Sequence, residues 1–292
     1  MNVLREFIRT IVRQELLTEG GNVFPEVNSS VLSKYLNSTI ETALKTANLQ
    51  NIKYSIIGNF KKPILGDIDI AVEYDELTKI ISFTGDRLNF WNALDEFLSN
   101  SNVDGYKINK GLQQVHLLSP LVNSNGKHLI GVDSSGNEIG EKGFVQIDIM
   151  IGNLGFMKKS LSSSSKDSKY KAVYRNLLLA DIFANVIMDT ENPEVKKKFQ
   201  MNWKNGVELV HFTIDEKGKR KKISVENMFS DMDRLAKFLF GDKYNFEDID
   251  SFEKLYKLMK TNDFVFRKYN NKIFDSLKET LMRFKLELPK QL

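Results

Sequence analysis

Between residues 67 and 73 the chain reads DIDIAVE, and between 144 and 151 it reads FVQIDIMI. Successive side chains of an extended strand point to opposite faces, so each segment sets an apolar row against a row that contains acids. Asp67 and Asp69 share one face of the first segment, and Asp148 alternates with Ile147 and Ile149 in the second. An apolar row must be buried against another layer, whereas ionised carboxylates resist burial without partners. Such a chain is constrained to a sheet with one face on a hydrophobic core and one polar face. Its 292 residues, 41% hydrophobic and 27% charged, are ordinary for a folded protein of about two domains.

The sequence contains no cysteine, which removes disulfides, thiolate zinc sites and a cysteine nucleophile. Its three histidines, His116, His128 and His211, lack the spacing of a zinc centre. Any metal must therefore be held by carboxylate oxygen, which selects a hard ion such as Mg²⁺ or Mn²⁺. No run of about 18 apolar residues exists to span a membrane. In the first 21 residues Arg5, Arg9, Arg13 and Glu15 interrupt the apolar positions, so this stretch predicts an amphipathic helix rather than a signal peptide. A cytoplasmic location is expected, with no membrane partner.

Helical periodicity predicts a helix over 29–47, and β-branched residues predict a strand over 52–57 that ends at Gly58. A helix over 86–98, two short strands over 106–109 and 113–118, and a Gly/Ser/Asn-rich insertion over 123–143 with a small hairpin follow. His116 sits on one of these strands and is expected at its core edge or surface rather than as a general base. Beyond the Ser-rich loop at 160–168, helices are predicted over 171–189, from Pro193, over 225–240, 252–259 and 264–286, with a hairpin pairing 207–214 and 221–224. These readings give an N-terminal helix at 1–21, a catalytic α+β domain at 22–168 and a mostly helical domain at 169–292.

Residues two apart on a strand lie about 6.6 Å from each other, so Asp67 and Asp69 can surround one small volume, and Asp148 joins them if its strand lies alongside. Three crowded carboxylates repel unless cations lie among them. Two divalent ions about 3.5–4 Å apart can hold the attacking and leaving oxygens of an in-line phosphoryl displacement. Gly58 allows a phosphate to approach the backbone, Lys61 and Lys62 add positive charge, and Gly66 permits the turn into the aspartate strand.

The run SIIGNFKKPILGDIDIAVE, with VQIDIMI downstream, resembles the core motif of the polymerase-beta-type nucleotidyltransferase superfamily. The resemblance implies a palm-like mixed sheet with flanking helices, Gly58 as the family glycine, Asp67 and Asp69 as paired metal ligands, and Asp148 as the third carboxylate. Asn59 stands where the family has Ser or Gly, and the loop from Asn59 to Asp67 is shorter than usual. Lys61-Lys62 followed by GDID looks more like the DNA polymerase branch than the antibiotic-modifying one. Lys171, Arg175 and Asn176 open a helix where members often contact nucleotide or primer.

The expected activity is Mg²⁺-dependent transfer of a nucleoside monophosphate from a nucleoside triphosphate to an acceptor hydroxyl. The acceptor expected is the 3′ end of a nucleic acid, DNA or RNA including tRNA; a protein side chain, as in AMPylation, or a small molecule, as in toxin-type enzymes, is the alternative. A catalytically silent binding module on the same fold is the reading from another class. The net charge of +4 gives only a weak polyanion signal, but Lys196-Lys197-Lys198 with Lys204, and KGKRKK at 217–222, could line a path for a phosphate backbone.

Overall fold

A computed structural model describes residues 23–58, 62–85, 89–162, 168–189, 194–216 and 218–292. The helix expected over 1–21 lies outside them. The chain divides into two compact units, Met1–Leu154 and Gly155–Leu292. Among the described residues no helix is long and apolar enough to cross a membrane.

The first unit runs β1 (Val31–Leu32), a 3-10 turn at Ser33–Tyr35, α1 (Leu36–Thr46), β2 (Tyr54–Ile56), β3 (Ile64–Leu65) and β4 (Ile68–Glu73). It continues through α2 (Tyr74–Ile80), α3 (Phe90–Ser99), β5 (Gly105–Asn109), β6 (Gln114–Pro120), β7 (Ile130–Val132), β8 (Glu138–Lys142) and β9 (Phe144–Gly152). Five strands form one mixed sheet in the order β2-β4-β9-β6-β5. The β4–β9 pair is parallel and the others are antiparallel. β1 pairs with β3, and β7 with β8 inside the Gly/Ser/Asn-rich insertion.

The alternation read from the sequence decides which face is buried. Ile68, Ile70 and Val72 of β4, Ile147, Ile149 and Ile151 of β9, and Val115 and Leu117 of β6 join Ile40 and Leu44 of α1 and Phe90, Leu94 and Leu98 of α3 in one buried cluster. Each such side chain contributes roughly 1.5–3 kcal/mol by leaving water. The opposite face carries Asp69, Gln146, Asp148 and His116.

The second unit opens on α4 (Leu154–Ser160), whose first residue closes the first unit, and α5 (Ala172–Asn185). β10 (Ile187–Asp189), β11 (Val195–Asn202), β12 (Gly206–Ile214) and β13 (Arg220–Phe229) then form an antiparallel sheet in chain order. The chain ends with α6 (Met232–Phe240), α7 (Phe252–Met259) and α8 (Asn270–Arg283). Its core is aromatic: the Phe199 ring lies 5.6 Å from Phe183, 5.4 Å from Phe238 and 6.1 Å from Phe266.

Several expectations differ from this architecture. The domain after residue 168 is not mostly helical. Residues 195–202 form β11 where a helix was expected, and 225–229 extend β13, because VKKKFQMN, GVELVHFTI and the β-branched residues of RKKISVENMF complete one another's ladders. The expected helix over 29–47 begins only at Leu36, since Val31–Leu32 pairs with Leu65–Ile64. The helices expected over 86–98 and 264–286 are confined to Phe90–Ser99 and Asn270–Arg283, with 86–88 outside the described residues. The unit boundary falls at 154/155 rather than 168/169.

Candidate functional site

Asp69 of β4 is the register partner of Asp148 on β9, and Asp148 is in turn the partner of His116 on β6. One rung of the sheet therefore sets two carboxylates and an imidazole on the same polar face, with adjacent backbones about 4.8 Å apart. The parallel pairing is decisive: a slip of one residue would send one carboxylate into the apolar layer.

Asp148 is 7% exposed, and its Oδ1 is doubly held. His116 Nδ1 lies 2.7 Å away, and Gln146 Nε2 donates at 2.9 Å. A carboxylate accepts only, so the imidazole nitrogen facing it is the protonated one. Gln146 is fixed by the backbone N–H of Val23, which donates to its Oε1 at 2.7 Å. Lys107, the β5 partner of His116, donates to the Val23 carbonyl and rests over the Phe24 ring. Asp148 Oδ1 is thus oriented by two buried side chains, His116 and Gln146, the second backed by a polar chain that reaches the exposed Lys107, and Oδ2 is the oxygen these two bonds do not use.

Gly58 follows β2 with φ of +72°, in the left-handed region that favours glycine. A Cβ there would lie 3.2 Å from Asp69 Oδ2, so the backbone passes directly against that carboxylate. The N–H of Ile57 donates to the Asp69 carbonyl at 3.0 Å, which fixes the approach. Asp67, half-buried just ahead of β4, lines a pocket of about 360 Å³ with residues including Asn28, Ser30, Gly66 and Asp133. Neither Asp69 nor Asp148 lines that pocket. Among the described residues no three or more His, Asp or Glu side chains are grouped to hold a metal ion. The structure therefore brings Asp69 and Asp148 together on one rung and gives Asp67 a pocket of its own.

The remaining expected residues divide. Lys62 is exposed, whereas Asn59 and Lys61 lie outside the described residues. Lys171 is exposed at the N-cap of α5. Arg175 is not a nucleotide contact. It is 0% exposed, and its guanidinium donates to the Asp250 carbonyl at 2.8 Å, the Lys159 carbonyl at 3.2 Å, the Ser160 carbonyl and Asn176 Oδ1. Burial lowers its pKa to about 10, so it stays charged at neutral pH and braces the end of α4. His116 and Gln146 are the contributors that sequence reasoning missed. Their signal is polar alternation, Gln114 and His116 in β6 and Gln146 and Asp148 in β9, which places them on the acid-bearing face.

No family model and no curated protein matches this chain. Among solved structures, the Leishmania infantum polymerase beta ternary P/T complex aligns at 10% identity over 73% of this chain and 80% of that one, with a TM-score of 0.32. The ternary gap complex of the same polymerase aligns at 9% identity over 96% and 79%, also with a TM-score of 0.32.

Proposed function

We propose that this chain is a divalent-metal-dependent nucleotidyltransferase. The observation that carries the reading is the Asp69–Asp148 rung with Gly58 packed against the Asp69 carboxylate. Mg²⁺ is commonly held by one or two carboxylates plus substrate phosphates and water rather than by an all-protein cage. Two adjacent all-oxygen donors on a polar sheet face fit that chemistry, with Asp69 and Asp148 as holders and Asp67 as a third carboxylate before the same strand. Such an ion supplies charge neutralisation on the phosphates and lowers the pKa of a bound hydroxyl.

The chain's own residues do the positioning. His116 and Gln146 hold Asp148 in one orientation, and Gly58, which has no Cβ, lets a phosphate come close to the backbone beside Asp69, with the exposed Lys62 as a further contact. The acceptor hydroxyl oxygen bonds to the α-phosphorus, the bond to the bridging oxygen breaks, and pyrophosphate leaves as the hydroxyl proton is released. The acceptor in this reading is a nucleic-acid 3′ hydroxyl.

The test is incubation of the full chain with labelled nucleoside triphosphates, Mg²⁺ or Mn²⁺, and separate pools of DNA, RNA, tRNA and protein. Label should pass to a nucleic acid, and Asp69→Asn and Asp148→Asn should each lower transfer by at least a hundredfold without unfolding the chain. Undiminished transfer in both variants would place the chemistry elsewhere.

A further inference from the structure

The antiparallel sheet of the second unit carries a cationic group on one face. Lys196, Phe212 and Lys222 form one rung across β11, β12 and β13, with Lys198 two residues along β11 and Arg220 two residues along β13. By alternation all five lie on the same face. The Arg220 guanidinium carbon sits 4.9 Å from the Phe212 ring centroid, and that ring is 2% exposed. Lys198 is 6% exposed, and the charges acting on its ammonium are Arg220 and Lys222, both positive. Burial, with those two cations, lowers its pKa to about 8. Among the described residues Lys198, Arg220 and Lys222 make no ion pair. Glu208, on the same face, stands opposite Gln200 and Asn227 and pairs with none of them.

Arg220 lies over the Phe212 ring, Lys222 is the register partner of Phe212 and Lys198 that of Val210, while the rung ends on β10 at Asp189, the register partner of Lys196. The three cations on this face repel one another, and a multiply charged anion relieves that repulsion. The group spans two interstrand spacings, about 10 Å, more than a single phosphate fills. An arginine stacked on an aromatic ring keeps its edge for bidentate phosphate contact and its outer plane for a base. We infer that this sheet face, through Lys198, Arg220 and Lys222, binds the sugar-phosphate backbone of a single-stranded nucleic acid. The inference deepens the acceptor half of the proposed function, and binding without triphosphate or divalent metal tests it separately from transfer.

The experiment measures fluorescence anisotropy of labelled 20-nucleotide DNA and RNA single strands on the full chain across a salt series, with EDTA present. The parent protein should bind with log Kd rising linearly in log salt. Arg220→Gln/Lys222→Gln, with Lys222 exposed and Arg220 half-buried, should weaken binding at least tenfold and reduce the salt slope by about two, near one for each phosphate no longer neutralised. Lys198→Met should weaken it further, and the control Lys45→Gln/Lys278→Gln should leave it within twofold. Equal binding by Arg220→Gln/Lys222→Gln and the control overturns the proposal. Full displacement by polyglutamate at matched charge would mark an acidic-peptide surface, and equal displacement by inorganic triphosphate a free-phosphate site; either overturns the strand assignment. Loss of transfer with binding intact would count against the proposed activity alone.

Discussion

Gly58 and Asp69 meet at a distance that a single added carbon would change. With φ at +72° and Asp69 Oδ2 3.2 Å from an added Cβ, Gly58→Ala must strain the backbone and displace the carboxylate. It should cost about 1–3 kcal/mol in urea unfolding and lower transfer at least tenfold, more than the stability loss explains. His116→Ala removes one of the two donors from a buried carboxylate oxygen; a loss of about 1–3 kcal/mol is expected, with thermal denaturation as the measurement. At this scale the sequence conveyed Asp67, Asp69, Asp148 and Gly58 as candidates, because acids in apolar strands and a strand-ending glycine stand out locally. It could not convey that Asp148 leans on His116 and Gln146, since alternation fixes a side chain's face but not its cross-strand neighbour. Arg175 misled for the converse reason. Nothing near it in sequence announces the carbonyls of Lys159, Ser160 and Asp250 that receive its guanidinium.

Among elements, α5 and α8 are joined through a buried acid. Asp181 of α5 accepts a 2.6 Å hydrogen bond from Ser276 of α8, and its Oδ2 is buried without a partner. Burial raises its pKa to about 7. The native state therefore binds this proton more tightly than the unfolded chain does, so its contribution to stability is fully present below pH 4 and lost as pH rises to about 7. The thermal midpoint of the parent should fall between pH 5 and pH 8 relative to Asp181→Asn, whose curve should be flatter, as scanning calorimetry in a buffer series would register. Elements whose apolar period was strong, such as β4, β9 and α7, were legible. In the second unit the β12–β13 hairpin was legible too, but β10 and β11 were not, because lysine-rich segments such as VKKKFQMN owe their extended form to the ladders on either side. Isolated from those partners, their local preference does not select a strand.

The whole molecule is two units with separate cores, one aliphatic beneath a mixed sheet and one rich in phenylalanine. A fragment of residues 23–153 should keep cooperative unfolding and far-UV dichroism of its own, because its apolar cluster lies entirely within that span. A fragment cut at 168 should serve the remainder poorly: it separates Arg175 and Asn176 from the Lys159 and Ser160 carbonyls they bind, and should lower the midpoint of residues 169–292 relative to 155–292. The α+β class was foreseeable from alternating strands among helices, but the boundary was not, since a Ser-rich stretch marks a loop without saying which side holds its ends. The β4–β9 pairing has a further consequence during synthesis. Asp69 leaves the ribosome well before Asp148, and closing a loop of 79 residues between them costs about 4 kcal/mol of chain entropy. A product terminated anywhere before residue 148 lacks the facing carboxylate altogether, so translation that stops early yields chains with no assembled acid pair.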